Sequence, residues 1–442
     1  MIATDNSKRA KHAKYVLTPW SKQAGLNAPS MQRGEGVYLY DTDDNRYLDL
    51  SAGLVAVNLG HGNDAVATAI GEQAKRLAYA SPQFTLDVRA DLAEKLSELS
   101  PWDEGARVFF TTGGAEANED AVKMSRMITG RSKVLSCYRS FHGSSPGAGS
   151  LTGENRRWAN EPGWPGAIHF VAPFPYDSPF HTEDPKEEVA RALAHLDLVL
   201  TYENPSAVAA IVMEPVVGSN GVVVYPDGYL AGVRERCDRY GIMLIFDEVM
   251  TGFGRTGDRF ASVRFDVAPD LITFAKGVTS AYAPLGGVLV REKFASYFDT
   301  HALMCGHTYS GHPLSVAAGF AVVSEYERLG LFTKGREIET WMSTGLNALK
   351  DRCPQVGDVR GVGAFWAIEL VKDKKTKEPI TGWQGGDPGP LPGFLKKLRD
   401  HGVYAFGRYG IVVISPPLII EQEQLQSGFD AIEKALAETG SF

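Results

Sequence analysis

The rhythm of apolar and polar positions changes several times along this chain. Residues 1–36 are polar and broken by proline and glycine around an isolated WSKQAGL, which predicts an arm that packs on something else. VYLYDTDDNRYLDL, residues 37–50, then sets two alternating apolar runs around a DTDDN turn, the signal of a β-hairpin. Beyond about residue 63, helical patterns alternate with the short apolar runs RVFFTT, KVLSCY, AVAAIVMEPV, GIMLIFDEV and DLITFAKG. These runs are β-branched or aromatic and almost continuously apolar, as strands of a parallel sheet buried on both faces must be. AEANEDAVKMSRMI and PDGYLAGVRERCDRY are the clearest helices between them. Such alternation predicts an α/β layered domain. After about residue 330 come helices, the strand-like AFWAIELV, the Gly/Pro-rich TGWQGGDPGPLPG, then VVISPPLII and a closing helix. That tail predicts a smaller α+β domain. The expected boundaries are 1–60 for the arm and part of the small domain, 61–328 for the large domain and 329–442 for the rest of the small one.

Composition narrows the class. The 442 residues exceed one ordinary domain, so a large core with a satellite is expected. Apolar content of 44% and charged content of 22% are those of a globular protein. A net charge of −8 with interspersed signs argues against a nucleic-acid partner or an acidic membrane, both of which need a basic patch. Cys137, Cys237, Cys305 and Cys353 are scattered and match neither a zinc site nor a disulfide framework, which predicts a reducing compartment. The basic N-terminus has no apolar segment behind it and no run reaches the length of a membrane span. A cytoplasmic protein is expected.

Three segments carry candidate chemistry. Thr111-Thr112-Gly113-Gly114-Ala115-Glu116 follows a strand and opens a helix, where free N–H groups and a close glycine approach suit a phosphate. A tight strand-to-helix turn, with Glu116 favoured by the helix dipole, is the plainer alternative. Asp247-Glu248 ends the GIMLIF strand, at the edge where α/β sheets bind ligands. Adjacent strand residues face opposite ways, so the two acids must do different work. A solvated strand end is the alternative. Lys276 ends the apolar run LITFA. Desolvation there would turn its amine into a nucleophile towards carbonyls, whereas a snorkelling lysine would have no such task.

Gly252-Phe253-Gly254-Arg255-Thr256-Gly257 matches the GxGxxG dinucleotide pattern, the basis of an alternative nicotinamide oxidoreductase reading. No helical stripe follows it, and Asp266 and Asp270 precede the next strand instead of ending it, so the fingerprint is incomplete. His307 and His312 lack the spacing of a metal site, and no metal is expected. A non-enzymatic scaffold would bind no chromophore.

The order and spacing of Leu244–Val249, Thr251–Gly257, Pro269-Asp270 and Phe274–Gly277 resemble the signature of the class III aminotransferases, pyridoxal-5'-phosphate enzymes of fold type I. Phe141-His142-Gly143, Glu214-Pro215 and His307–Pro313 resemble further family segments, so the likeness runs from roughly Gly34 to the C-terminal helix. It implies a large domain around a mostly parallel sheet, a small α+β domain and a homodimer with active sites spanning two chains. Lys276 would carry the cofactor as a Schiff base and act as general base and acid. Asp247 would pair with the pyridine nitrogen, which keeps the ring an electron sink. Gly114 and Ala115 would hold the phosphate, with Thr308 reaching it from the partner. Phe141 and Val249 would pack on the two ring faces, while His142 and Glu214 would sit against the cofactor and its aspartate. Ala115 and Phe141 stand where relatives often have Ser and Tyr.

Ala281-Tyr282-Ala283-Pro284-Leu285-Gly286-Gly287 resembles the amine:pyruvate and taurine:pyruvate members. That likeness implies a ping-pong transfer of the amino group of an ω-amino acid or amine to pyruvate. A 2-oxoglutarate-dependent enzyme of the 4-aminobutyrate or ornithine kind is the alternative. Trp20 and Val55 would line the substrate pocket, Val55 in place of the Trp of several relatives. Arg408 would bind the carboxylate, although it stands closer to the Pro416-Pro417 pair than in related ω-transaminases; a solvated loop arginine is the alternative.

Overall fold

The computed structural model describes residues 5–26, 28–382 and 388–440. Seven strands form the central sheet: β1 Ala106–Thr111, β2 Lys133–Cys137, β3 Ala167–Phe170, β4 Val208–Met213, β5 Met243–Asp247, β6 Leu271–Phe274 and β7 Gly286–Arg291. Their order is β1-β7-β6-β5-β4-β2-β3. The run from β6 to β3 is parallel throughout, and β7 is antiparallel to both of its neighbours.

The five apolar runs read as strands are all strands here. Val208–Met213 is buried at every residue, because both sheet faces are covered. Ala210, Val212 and Ile245 pack with Ala117 and Ala121 of the Gly114–Thr129 helix on one face. Ile211, Leu244 and Phe246 pack with Tyr229 and Val233 of the Tyr229–Tyr240 helix on the other. The two strands that the apolar pattern did not mark are β3 and β7. β7 opens with two glycines, which dilute a strand signal. They are needed there: a Cβ on Gly287 would stand 2.5 Å from Phe274 Cζ and 2.7 Å from the Phe109 carbonyl.

The predicted hairpin is present, Tyr38–Asp41 against Arg46–Asp49. Val403–Tyr404 joins it in parallel, so early and late parts of the chain share one sheet. Val356–Val362, Phe365–Asp373, Ile411–Ile414 and Phe406–Arg408 form a further antiparallel sheet. Part of the Gly/Pro-rich stretch, residues 383–387, lies outside the described residues.

The GFGRTG segment has its own structural task. Fully buried Arg255 donates to the carbonyls of Ala364 (2.9 Å) and Pro416 (2.6 Å) and to Asn58 Oδ1 (2.6 Å). It thereby ties three distant segments together, and burial pushes its guanidinium down to about 10 against the opposing pull of Asp49. Only a four-residue helix, Ala261–Arg264, follows, so the loop has no dinucleotide helix behind it. Among the described residues no helix is long and apolar enough to cross a membrane.

Candidate active site

Parallel strands β5 and β6 both end at the same edge of the sheet, and β1 runs there into the Gly114–Thr129 helix. Asp247, Lys276 and Gly114 are therefore delivered to one place by topology. They line a cavity of about 460 Å³ together with Ala115, Phe141, His142, Glu214, Val249 and Trp20. Nine residues singled out in the sequence thus meet in one cavity.

Asp247 and Glu248 divide as strand alternation requires. Asp247 faces the cavity; its Oδ2 meets His142 Nδ1 at 2.7 Å and Asn118 Nδ2 at 2.8 Å, and its Oδ1 accepts from Val249 N at 3.0 Å. Glu248 turns away and caps the short helix, accepting from the backbone N–H groups of Ala261 (2.6 Å) and Ser262 (2.8 Å).

Lys276 sits at φ +45°, a backbone region that side-chain-bearing residues occupy at a cost. Burial pushes its amine down to about 8, against the opposing pull of Asp247 and Glu214. Glu214 accepts from Phe141 N at 2.8 Å and Gly218 N at 2.7 Å. Its carboxyl is pushed up to about 7, mainly by burial, with the Asp247 charge adding to the rise and His142 opposing it.

Gly114 and Ala115 occupy the first helical turn, where N–H groups have no preceding carbonyl to pair with. A Cβ on Gly114 would stand 2.9 Å from a Val249 methyl, so glycine lets helix and strand end close together. Glu116 turns back to accept from Thr112 N (2.8 Å) and Thr112 Oγ1 (2.7 Å), leaving the turn's mouth to a ligand.

Three expected residues lie elsewhere. Val55 is buried against Val216, Val222 and Phe365, and its neighbour Ala56 lines the cavity instead. Arg408 lines an adjoining cavity of about 430 Å³ that shares Trp20 with the first. It approaches Glu154 at 3.4 Å and Asn155 at 3.1 Å. Thr308 is on the exposed surface, its carbonyl accepting from Tyr79 Oη at 2.9 Å.

Two residues escaped the sequence reading. Asn118 is buried one turn into the helix, and its i+4 spacing from Gly114 was the available signal. The Arg156 guanidinium lies 3.6 Å from the Phe141 ring centre and bonds to Glu154 and, at 2.9 Å, to Ser219. It stands in a short 3₁₀ segment with no periodicity to mark it.

The aminotransferase class-III family matches residues 21–436. A probable aminotransferase of Mycobacterium tuberculosis is 36% identical over 431 residues, 94% of this chain and 91% of that protein. A putrescine–pyruvate aminotransferase of Pseudomonas aeruginosa is 33% identical, with 96% and 94% covered. The solved structure of a taurine:2-oxoglutarate aminotransferase from Bifidobacterium kashiwanohense, in complex with PLP and glutamate, aligns at TM-score 0.95 with 42% identity, covering 99% of this chain and 98% of that one. The chain belongs to the class III aminotransferases.

As a class III aminotransferase of fold type I it uses pyridoxal 5'-phosphate, and the resemblance drawn from its motifs is borne out. Its own donor set fits that cofactor. The cavity combines a helix start for an anion, a carboxylate for a protonated ring nitrogen, apolar Val249 and Phe141 for a flat ring, and an amine for a carbonyl. Among the described residues no hydrogen bond or ion pair reaches the Lys276 amine.

Proposed function

We propose that this aminotransferase moves the amino group of an ω-amino acid, such as β-alanine or taurine, or of a primary amine, to pyruvate in two half-reactions. The observation that carries the reading is a pair of arginines, Arg156 against Phe141 of the cavity wall and Arg408 in the adjoining cavity. Arg156 and Arg408 share the single carboxylate of Glu154, which leaves one positive charge for a substrate's anionic end. Trp20 lines both cavities, its ring 6.1 Å from Phe141 and 5.5 Å from the Arg156 guanidinium.

Pyridoxal phosphate supplies the carbonyl and the electron sink. Gly114 and Ala115 N–H groups would hold its phosphate, joined by Thr308 of a second copy in a homodimer. Val249 and Phe141 would flank the ring. Asp247, held by His142, would pair with the ring nitrogen, and Glu214 fixes the Phe141 segment. Lys276 Nζ, lowered to about 8, would hold the cofactor through its carbonyl and would take and return the proton at the substrate carbon. Borohydride reduction of the holoenzyme followed by peptide mapping should label Lys276, and a label on another lysine would refute this assignment.

A second reading, 2-oxoglutarate as acceptor, is supported by the second arginine, since a dicarboxylate has two ends to satisfy, and by the likeness to the taurine:2-oxoglutarate enzyme. One experiment separates the readings: a panel of β-alanine, taurine, 4-aminobutyrate, putrescine and an uncharged arylalkylamine against pyruvate and 2-oxoglutarate. Anionic donors with pyruvate are expected to lead in kcat/KM. Equal turnover of uncharged amines removes the anionic-donor reading, and preference for 2-oxoglutarate selects the second acceptor.

A further inference from the structure

Every polar atom of the Asn118 side chain has a partner, and together those partners allow only one orientation. Its Nδ2 carries two hydrogens and finds two acceptors, His142 O at 2.8 Å and Asp247 Oδ2 at 2.8 Å. Its Oδ1 accepts from Thr273 Oγ1 at 2.7 Å. A backbone carbonyl can only accept, so a reversed amide would set oxygen against oxygen at both His142 and Asp247. Thr273 lies beside Asp247 in the β5–β6 register, and both Asn118 and Thr273 are buried. Asp247 therefore faces fixed donors, Asn118 on one oxygen and Val249 N on the other, with His142 Nδ1 closing the set.

The same helix bears the phosphate end of the site. Gly114 and Ala115 lie in its first turn and Asn118 one turn later. We infer that Asn118, oriented by Thr273, is a positioning residue that holds the Asp247 carboxyl group in one orientation and fixes its distance from the phosphate-binding turn. The inference rests on Asp247 being the partner of the ring nitrogen. Asn118 acts through Asp247: one rigid helix spaces the two ends of the cofactor.

The test measures two properties of the holoenzyme other than turnover: the dissociation constant for pyridoxal phosphate and the pH midpoint of the bound cofactor's visible absorbance. Asn118→Asp sets a second carboxylate against Asp247, so one of the pair must take a proton. A proton held on Asp247 removes the counter-charge of the ring nitrogen, which then loses its own proton, and groups near it become easier to protonate. Cofactor binding should weaken tenfold or more and the midpoint should rise. Thr273→Val, which keeps shape and loses the hydroxyl, should weaken binding threefold or more with a midpoint shift in the same direction. Thr273→Ser should return both properties to within twofold of wild type. If Asn118→Asp does not fold, the Thr273 pair decides alone. Wild-type binding and midpoint in Thr273→Val, or a change confined to thermal stability, overturns the inference. Asp247→Asn measured alongside separates the two possible failures. A midpoint that moves in Asp247→Asn but not in the Asn118 and Thr273 variants sinks only the inference. A midpoint unmoved in Asp247→Asn sinks the ring-nitrogen reading and the inference with it.

Discussion

Lys276 must be uncharged to attack a carbonyl and yet sits close to two carboxyl groups that favour its charge. Burial wins, and the result is an amine near 8 in place of the ordinary 10.5. A lowered folded value means that the folded apoenzyme binds fewer protons than the unfolded chain between about pH 8 and 10.5. Stability from this group is therefore present above that window and lost as pH falls through it. Lys276→Met should make the apoenzyme more stable at pH 7 by roughly 1–3 kcal/mol. Thermal melts across pH should show that advantage shrinking from pH 8 upward; a constant difference would mean the lysine is not desolvated. The arginines carry a second expectation. Arg408→Ala should raise the KM for pyruvate while leaving the half-reaction with a carboxylate-free amine within about threefold of wild type, a change under roughly 1 kcal/mol. Arg156, nearer the cavity, should show the same split more strongly. Equal losses in both half-reactions would make either arginine structural. Residue roles of this kind were readable where a motif fixed the spacing, as at Asp247 and Lys276. Arg156 was not readable, because its relation to Phe141 exists only after the chain folds back on itself. Val55 was named where its neighbour Ala56 reaches the cavity: one position of register in an irregular turn, with Val55 itself at φ +57°, decides which side chain points in.

At the scale of elements, apolar continuity identified five central strands because burial on both faces leaves few polar positions. It missed β7, whose glycines are set by the close approach of β1 and β6, a constraint that belongs to neighbours far away in sequence. The GFGRTG loop is the same lesson in reverse: a local pattern suggests a nucleotide, while Arg255 is committed to three acceptors on distant segments. Arg255→Lys should therefore fail to substitute. An ammonium on a flexible stem cannot reproduce the planar fork, and each buried acceptor left unpaired costs about 1–3 kcal/mol. Urea denaturation should show a loss of roughly 2–4 kcal/mol in total. A loss under half of that would mean water or a neighbour takes the guanidinium's place.

At the scale of the whole molecule, the exposed Thr308 beside exposed Tyr79 and Tyr309 is where a second copy is expected to complete the site. Co-expressing a Lys276→Ala chain with a Thr308→Ala chain tests this. If Thr308 serves the partner, the mixed dimer gathers both lesions in one site and leaves the other intact, with half the wild-type activity per dimer. One lesion in each site would place Thr308 in its own chain's site. The position of β7 has a further consequence for how the molecule comes into being. Among the described residues β1 pairs with no other strand of the central sheet, so the sheet hydrogen bonds of the strand that launches the phosphate helix all come from a strand roughly 180 residues later. During synthesis, the helix start at Gly114 therefore has no settled place until residue 291 has emerged and threaded between β1 and β6. Such distant pairing is slow to form. A nascent chain ending before β7 should take up no cofactor, and pyridoxal phosphate should act late, as a seal on a finished sheet instead of a seed for it.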